Sequence, residues 1–218
     1  VVWTLETIPT ELKKYWYQRY SLFSKFDQQI HMDYDGWFSV TPETIAKHLA
    51  NRMACHTIVD AFCGVGGNTI QFAQTCDHVI AIDINPIRLE CARHNARIYG
   101  VEDKIQFILG DFMEIGPTLH ADGVFLSPPW GGPEYLQVEE FDINTMMPIN
   151  GTELYRVANQ ISNSICYFLP KNINHHQVIR LAGSGGECEM EQTFLNDRLK
   201  CWNIYYGSLV QKSNTLME

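Results

Sequence analysis

Two kinds of hydrophobic pattern follow one another along the chain. Near the start, Leu12, Tyr15, Trp16, Tyr20, Phe23 and Phe26 recur at roughly helical spacing among Lys13, Lys14, Arg19 and Lys25. That spacing predicts an amphipathic helix with a basic rim over Thr10–Phe26. The polar stretch from Asp27 to Gly36 reads as a loop. Thr41 then stands as an N-cap with Pro42 at the first helical position, opening a helix that runs to about Met53. From residue 56 onward, short apolar runs alternate with amphipathic stretches. Strands are expected at Thr57–Phe62, His78–Ile82, Ile105–Leu109, Gly123–Leu126 and Cys166–Leu169. Helices are expected from the glycine turn to about Gln74, over Pro86–Tyr99 with Gly100 closing it, over Thr152–Ser164 and over His175–Leu181. Two further strands, Glu187–Phe194 and Leu199–Tyr206, flank Asn196-Asp197 and read as a hairpin. This order predicts an α/β fold: a doubly wound, seven-stranded, mostly parallel sheet with an antiparallel edge hairpin. No internal repeat or low-complexity linker interrupts it.

Composition narrows the class. A chain of 218 residues is the size of one generous α/β domain and buries enough surface to fold without disulfide staples. With 45% hydrophobic and 19% charged residues it is too apolar for disorder. Sixteen Lys and Arg against twenty-five Asp and Glu leave a net charge of −9. Such a balance argues against wrapping long nucleic acid by counterion release and leaves room for a short local footprint. Seven scattered cysteines without a C-x-x-C pair fit free thiols in a reducing compartment better than a disulfide framework or a zinc site, and no metal is expected. No apolar run approaches the ~18 residues of a membrane span, and no signal peptide is visible. The chain opens Val1-Val2-Trp3 without an initiator Met, which points to a domain cut from something longer.

In a doubly wound sheet, ligands bind outside the carboxyl ends of the strands. Asp60-Ala61-Phe62-Cys63-Gly64-Val65-Gly66-Gly67-Asn68 falls at the first strand-to-helix turn, where glycines permit a tight bend and close approach of a ligand. Asp83 ends the second strand, where a carboxylate can accept both ribose hydroxyls, and Asp111 ends the third, a place suited to the exocyclic amine of adenine. A glycine-rich turn alone could be mere turn chemistry; acidic residues at three successive strand ends are harder to dismiss. A dinucleotide fold would want G-x-G-x-x-G, yet the third glycine position is Thr69. A carboxylate at the first strand end would repel a pyrophosphate and favour a cation. A sulfonium with an amino-acid tail fits, so the spacing favours S-adenosylmethionine over NAD.

The fourth strand runs directly into Ser127-Pro128-Pro129-Trp130-Gly131-Gly132-Pro133. Consecutive prolines fix φ and leave their carbonyls free to point into a pocket, and the following Trp offers a stacking face for a flat base. The bland reading is a stiff surface loop. No His or Glu stands beside the tetrad except Glu134, so positioning rather than a strong general base is expected to drive transfer.

Ser127-Pro128-Pro129-Trp130 resembles the [Asn/Asp/Ser]-Pro-Pro-aromatic motif of methyltransferases that act on exocyclic amines. Together with Trp37-Phe38-Ser39-Val40-Thr41-Pro42-Glu43 and Val59 to Thr69, it resembles the trimethylguanosine synthases, the RNA cap guanosine-N2 methyltransferase family, from about Lys13 to Gly207. The resemblance implies a class I S-adenosylmethionine-dependent methyltransferase fold. It also implies an enzyme that hypermethylates the 7-methylguanosine cap of small nuclear and nucleolar RNAs. By resemblance, the cofactor lies along Phe38, Ser39, Val40, Thr41, Asp60, Phe62, Cys63, Gly64, Gly66, Asn68, Asp83, Ile84, Asp111, Phe112 and Ser127. Ser127 and Pro128 would orient the 2-amino group, and Trp130 would stack on the charged 7-methylguanine. Lys14, Arg19, Tyr135 and Lys171 are candidates for the cap triphosphate, with Lys171 at a position where the family more often has Arg. The bland reading of Lys14 and Arg19 is a solvated helix face.

Phe23 could touch the base from the side opposite Trp130, which would make residues 1–40 a helical extension and lid, 41–210 the methyltransferase core and 211–218 a tail. The plain alternative is a core-packing helix. Rival functions are methylation of an internal RNA guanine or adenine, and a cap-binding module that has lost catalysis. A monomeric domain, protein partners engaged through regions outside this segment, no membrane contact, and nuclear, nucleolar and cytoplasmic localisation complete the expectations.

Overall fold

The computed structural model describes residues 2–212, so the expected tail at 211–218 lies mostly outside the described residues. Two compact units, 1–115 and 116–218, make up the chain. Its seven strands belong to one mixed sheet of order β3-β2-β1-β4-β5-β7-β6. They are β1 Thr57–Asp60, β2 His78–Asp83, β3 Ile105–Leu109, β4 Gly123–Leu126, β5 Ile165–Pro170, β6 Cys188–Leu195 and β7 Arg198–Tyr206. In the first unit β1, β2 and β3 pair in parallel; in the second, β4 and β5 are parallel, while β7 runs antiparallel to both β5 and β6. The expected parallel sheet with an antiparallel edge hairpin is what forms. At the hairpin tip Asn196 and Asp197 take φ of 50° and 61°, a left-handed pair that these two short polar side chains tolerate.

The N-terminal segment departs from expectation. Instead of one helix over Thr10–Phe26 there is a 3-10 turn at Thr10–Leu12, α1 at Lys13–Tyr17, α2 at Arg19–Leu22 and a second 3-10 turn at Phe26–Gln28. The break comes at Gln18, which leaves helical geometry (φ −98°, ψ 8°), and Arg19 curls back to donate to the Trp16 carbonyl at 3.0 Å. The aromatic residues in this segment do pack, but around a different centre. Fully buried Trp37 gathers Trp3, Trp16 and Phe26 at ring-centroid distances of 6.1, 5.9 and 5.6 Å. Each such pair adds about 0.5–1.5 kcal/mol beyond its buried area.

Trp37 sits on α3 (Gly36–Ser39), a short helix that begins at the end of the expected Asp27–Gly36 loop. The next helix, α4 (Glu43–Arg52), begins after Pro42 and not after Thr41. Thr41 makes no cap, because Pro42 takes the N-cap position; the Thr41 hydroxyl instead accepts from Asn68 Nδ2 at 2.8 Å.

Three helices complete the first unit: α5 (Gly67–Thr75), α6 (Pro86–Ile98) and the short α7 (Phe112–Ile115). Asn85 caps α6 by accepting from Ile87 N and Arg88 N, with Pro86 at the first helical position. The second unit carries α8 (Gly151–Ile161), capped by Asn150, and α9 (His175–Arg180), capped by Asn174. In its interior, Val124, Phe125, Leu126, Ile165, Cys166, Tyr167 and Leu169 are wholly buried, making β4 and β5 a rigid base for the loops that leave their carboxyl ends. No disulfide links the cysteines, and no helix among the described residues is long and apolar enough to cross a membrane.

Candidate active site

At the carboxyl end of β1, Asp60 is completely buried. Its Oδ2 accepts a 2.6 Å hydrogen bond from Thr69 Oγ1, and its Oδ1 is buried without a partner among the described residues. Burial, eased by the Thr69 bond and reinforced by the nearby charge of Asp83, pushes its carboxyl up to about 7. Thr69, the residue that spoils the dinucleotide fingerprint, thus fixes the Asp60 carboxylate through its hydroxyl. The turn that follows is closed by Gly66 N donating to Cys63 O at 3.0 Å. Gly66 has φ of 96°, and a Cβ there would meet the Ala92 backbone at 3.2 Å, so only glycine lets α6 lie this close. Cys63 serves through its backbone; burial and then the charges of Asp60 and Asp83 raise its thiol well above the ordinary range, so it is no nucleophile.

Asp83, at the end of β2, reaches the same turn. Its Oδ2 accepts from Gly64 N at 2.9 Å and its Oδ1 from Asn85 N at 2.9 Å. Two backbone donors hold the carboxylate in one orientation, with further lone pairs on each oxygen left over. Ile84 beside it is 71% exposed, a large apolar side chain facing solvent. Asp111, at the end of β3, accepts from Met113 N at 2.9 Å and so starts α7. Phe112 is buried 6.2 Å from the half-buried Phe62 ring. Val40 and Thr41 close on the start of α5, where a Cβ on Gly67 would come within 2.7 Å of Val40 Cγ2. Asn68 ties Thr41 to this turn and keeps its own Oδ1 buried and unpaired among the described residues. Phe38 is 39% exposed, and the Ser39 hydroxyl donates to the Asp35 carbonyl at 2.8 Å. The structure thus gathers Val40, Thr41, Asp60, Cys63, Gly64, Gly66, Asn68 and Asp83 around one turn.

Asn95 on α6 carries no sequence signal, yet it organises this site. Wholly buried, it donates Nδ2 to Val65 O and to His31 O, both at 2.9 Å, and accepts from His31 N at 2.8 Å. Further along the N-terminal segment, Arg88 donates from Nε to Asp33 at 2.9 Å and also pairs with Asp35. Glu43 holds Ser24 Oγ at 2.9 Å and Tyr99 OH at 3.0 Å. Buried polar side chains of this kind look unremarkable in sequence, because their partners lie 19 to 64 positions away.

Phe23 does not line an open site. It is only 2% exposed, and its ring lies 6.3 Å from that of Tyr99. It packs inside the first unit and presents no open face to a base. Lys14 and Arg19 lie over aromatic rings, Lys14 4.9 Å from Tyr15 and Arg19 4.5 Å from both Trp16 and Tyr20.

In the second unit, β4 delivers Ser127 half-buried, Pro128 buried, Pro129 exposed and Trp130 half-buried. Trp130 stacks on Phe168 with centroids 5.7 Å apart and planes 23° off parallel, and Tyr135 meets its ring edge-on at 5.0 Å. Its Nε1 donates to the Phe168 carbonyl at 3.4 Å. Gly131 and Gly132 then turn the chain with φ of 86° and 88°, and a Cβ on Gly131 would collide with Met146 O at 2.9 Å. Beyond them, Asn172 Nδ2 clamps the loop by donating to Tyr135 O at 2.8 Å and Val138 O at 3.0 Å, another contact without a sequence signal. Lys171 is exposed on the wall of a polar cavity of about 550 Å³, with Glu139, Glu140 and His175 as its charged or titratable neighbours. Trp130 is therefore a braced plate rather than a loose surface ring.

A family model described as RNA cap guanine-N2 methyltransferase matches residues 55–209. The chain belongs to the RNA cap guanine-N2 methyltransferases. It is 43% identical over 175 residues to a trimethylguanosine synthase of Schizosaccharomyces pombe, covering 76% of this chain and 73% of that protein. Identity to the trimethylguanosine synthase of Saccharomyces cerevisiae is 40% over 182 residues, covering 78% of this chain and 58% of the relative. Among solved structures, a methyltransferase from Porphyromonas gingivalis superposes with a TM-score of 0.67 at 15% identity, over 94% of this chain and 52% of that one. That likeness shows the class I methyltransferase fold. S-adenosylmethionine is the cofactor. The first unit of this RNA cap guanine-N2 methyltransferase fits it: the buried oxygens of Asp60 and Asn68 have acceptor capacity to spare, and the cation they favour is one the cofactor carries.

Proposed function

We propose that this chain methylates the exocyclic 2-amino nitrogen of a 7-methylguanosine RNA cap, giving a 2,2,7-trimethylguanosine cap on small nuclear and nucleolar RNAs. The observation that carries the reading is the Ser127-Pro128-Pro129-Trp130 tetrad at the rigid exit of β4, with the Trp130 ring braced on Phe168. When bound, S-adenosylmethionine supplies an activated methyl group on a sulfonium centre. Asp60 takes its ammonium group and Asp83 its ribose hydroxyls. Asp111 reads the adenine amine, while Ile84 and Phe62 cover the ring. Trp130 stacks on the methylated guanine, whose positive charge strengthens the contact by about 0.5–2 kcal/mol. Ser127 and the Pro128 carbonyl accept from the 2-amino group and so aim its nitrogen lone pair. Holding the amine in line is where these residues contribute, since well-oriented reactants can gain about 7–11 kcal/mol over free encounter.

Lys14, Arg19, Tyr135 and Lys171 meet the triphosphate. Residues 1–40 serve the substrate as an extension of the 41–210 core, through their basic segment and not through Phe23. The domain acts as a monomer in the nucleus, nucleolus and cytoplasm, and its protein partners engage regions outside this segment.

Trp130→Ala tests the reading. The expected outcome is loss of at least about 1.5 kcal/mol of transition-state stabilisation toward a 7-methylated cap, with cofactor affinity unchanged and Trp130→Phe retaining part of the activity. Wild-type turnover in Trp130→Ala would overturn the assignment.

A further inference from the structure

Between Leu12 and Phe26 the chain carries Lys13, Lys14, Arg19 and Lys25 and no acidic residue, in a protein whose net charge is −9. Among the described residues none of these four side chains makes an ion pair, so their charge is available to a ligand. Aromatic rings interleave with them: Tyr17 is 68% exposed and Tyr20 is 47% exposed. Arg19 bridges the Trp16 and Tyr20 rings, and Lys25 Nζ lies 5.2 Å from the centre of Tyr99. On α1, Lys13 and Tyr17 stand four residues apart and so share one helix face. The nearest acids along the chain, Glu11 and Asp27, bound the stretch and are each engaged by a tyrosine hydroxyl, from Tyr34 and Tyr20 respectively.

We propose that Lys13, Tyr17, Tyr20 and Lys25 form a docking track for the single-stranded RNA that follows the cap. Exposed aromatic rings accept unpaired bases regardless of sequence, and neighbouring cations neutralise successive phosphates. The inference rests on the proposed function, in which Lys14 and Arg19 of this same stretch meet the cap triphosphate; the next phosphates then pass along its remaining cations. The track also explains how an acidic chain can hold RNA: the footprint is local, and the rest of the surface repels non-specific nucleic acid.

The test compares the wild-type chain with a Lys13→Glu, Tyr17→Ala, Lys25→Glu triple variant, matched for thermal melting. The ligands are a capped single-stranded RNA of about twelve nucleotides and the cap dinucleotide alone, followed by fluorescence anisotropy and by initial methylation rate. The variant should bind the RNA about tenfold or more weakly, and the slope of log affinity against log salt should become shallower by roughly 1.4, about 0.7 per lost phosphate contact. KM for the dinucleotide should stay within about twofold, since these three residues lie outside the cap contacts. Unchanged RNA affinity, or equal weakening toward the dinucleotide, would overturn the track. RNA that binds with the expected slope but gains no methyl group would count against the proposed reaction and uphold the track.

Discussion

Asp60 concentrates the electrostatics of the cofactor site in one side chain. Its folded-state value of about 7 lies above the ordinary 3.8, so the fold by itself gains from its protonation. Its contribution is greatest below about 4 and is lost as pH rises through about 7. A ligand carrying an ammonium group reverses this preference. Cofactor binding near pH 7 should therefore release a fraction of a proton, and affinity should fall as pH drops below about 7. Calorimetric titration in buffers of differing ionisation enthalpy reads the release directly, and a buffer-independent enthalpy would contradict it. Asp60→Asn should melt slightly higher than wild type at pH 8, where the buried charge is lost, while binding the cofactor at least about tenfold more weakly.

Asp83 is the counterpart with a different outcome, because Gly64 N and Asn85 N already hold its carboxylate. Asp83→Ala should raise the cofactor KM by about ten- to hundredfold, as expected for losing hydrogen bonds to a charged group, with kcat little changed. Steady-state kinetics at saturating cap analogue would show it, and an unchanged KM would mean that the ribose lies elsewhere.

Among the elements, the N-terminal segment is fastened by side chains rather than by helical continuity. Burial pushes the Glu43 carboxyl up, but bonds from Ser24 and Tyr99 and the nearby Lys47 bring it below its ordinary value. Its contribution to stability is therefore present above the unfolded value of 4.5 and lost as pH falls through the lower folded one. Glu43→Gln should cost about 1–3 kcal/mol and speed proteolysis within residues 13–35, measured by denaturant melts and timed digestion. Equal stability of the two proteins would show that Ser24 is held by something else.

The same segment holds what hydrophobic periodicity does not encode. The alternation of apolar strands and amphipathic helices made the sheet legible, and Asp60, Asp83 and the Pro-Pro-Trp turn stood out because strand ends are where such folds bind ligands. The helix over Thr10–Phe26 did not form as one piece, because hydrophobic periodicity cannot register an Arg19 side chain that takes the Trp16 carbonyl. Likewise Thr41-Pro42 reads as a cap and first helical residue, whereas the helix starts one residue later with Pro42 at the N-cap, and the Thr41 hydroxyl serves Asn68 across 27 positions. Asn95 and Asn172 are illegible for the same reason: each donates to a backbone carbonyl 30 to 37 positions away. Phe23 shows the converse error, an aromatic residue at a suggestive position that simply packs in the interior.

For the whole molecule, the charge distribution and the two ligand chemistries are consistent with one another. A net charge of −9 suits a cationic cofactor and a cationic base, both of which are attracted to carboxylates and aromatic faces. The anionic part of the substrate is left to a confined basic stretch near the N-terminus. Amine methylation of a cap that already bears a 7-methyl group is read by transfer of label. The chain is incubated with labelled S-adenosylmethionine and either a 7-methylguanosine or a plain guanosine cap analogue. Label should enter the 7-methylated analogue alone, at the 2-amino nitrogen. Equal labelling of both analogues, or bound cofactor with neither labelled, would mean that the 7-methylated cap is not the amine substrate.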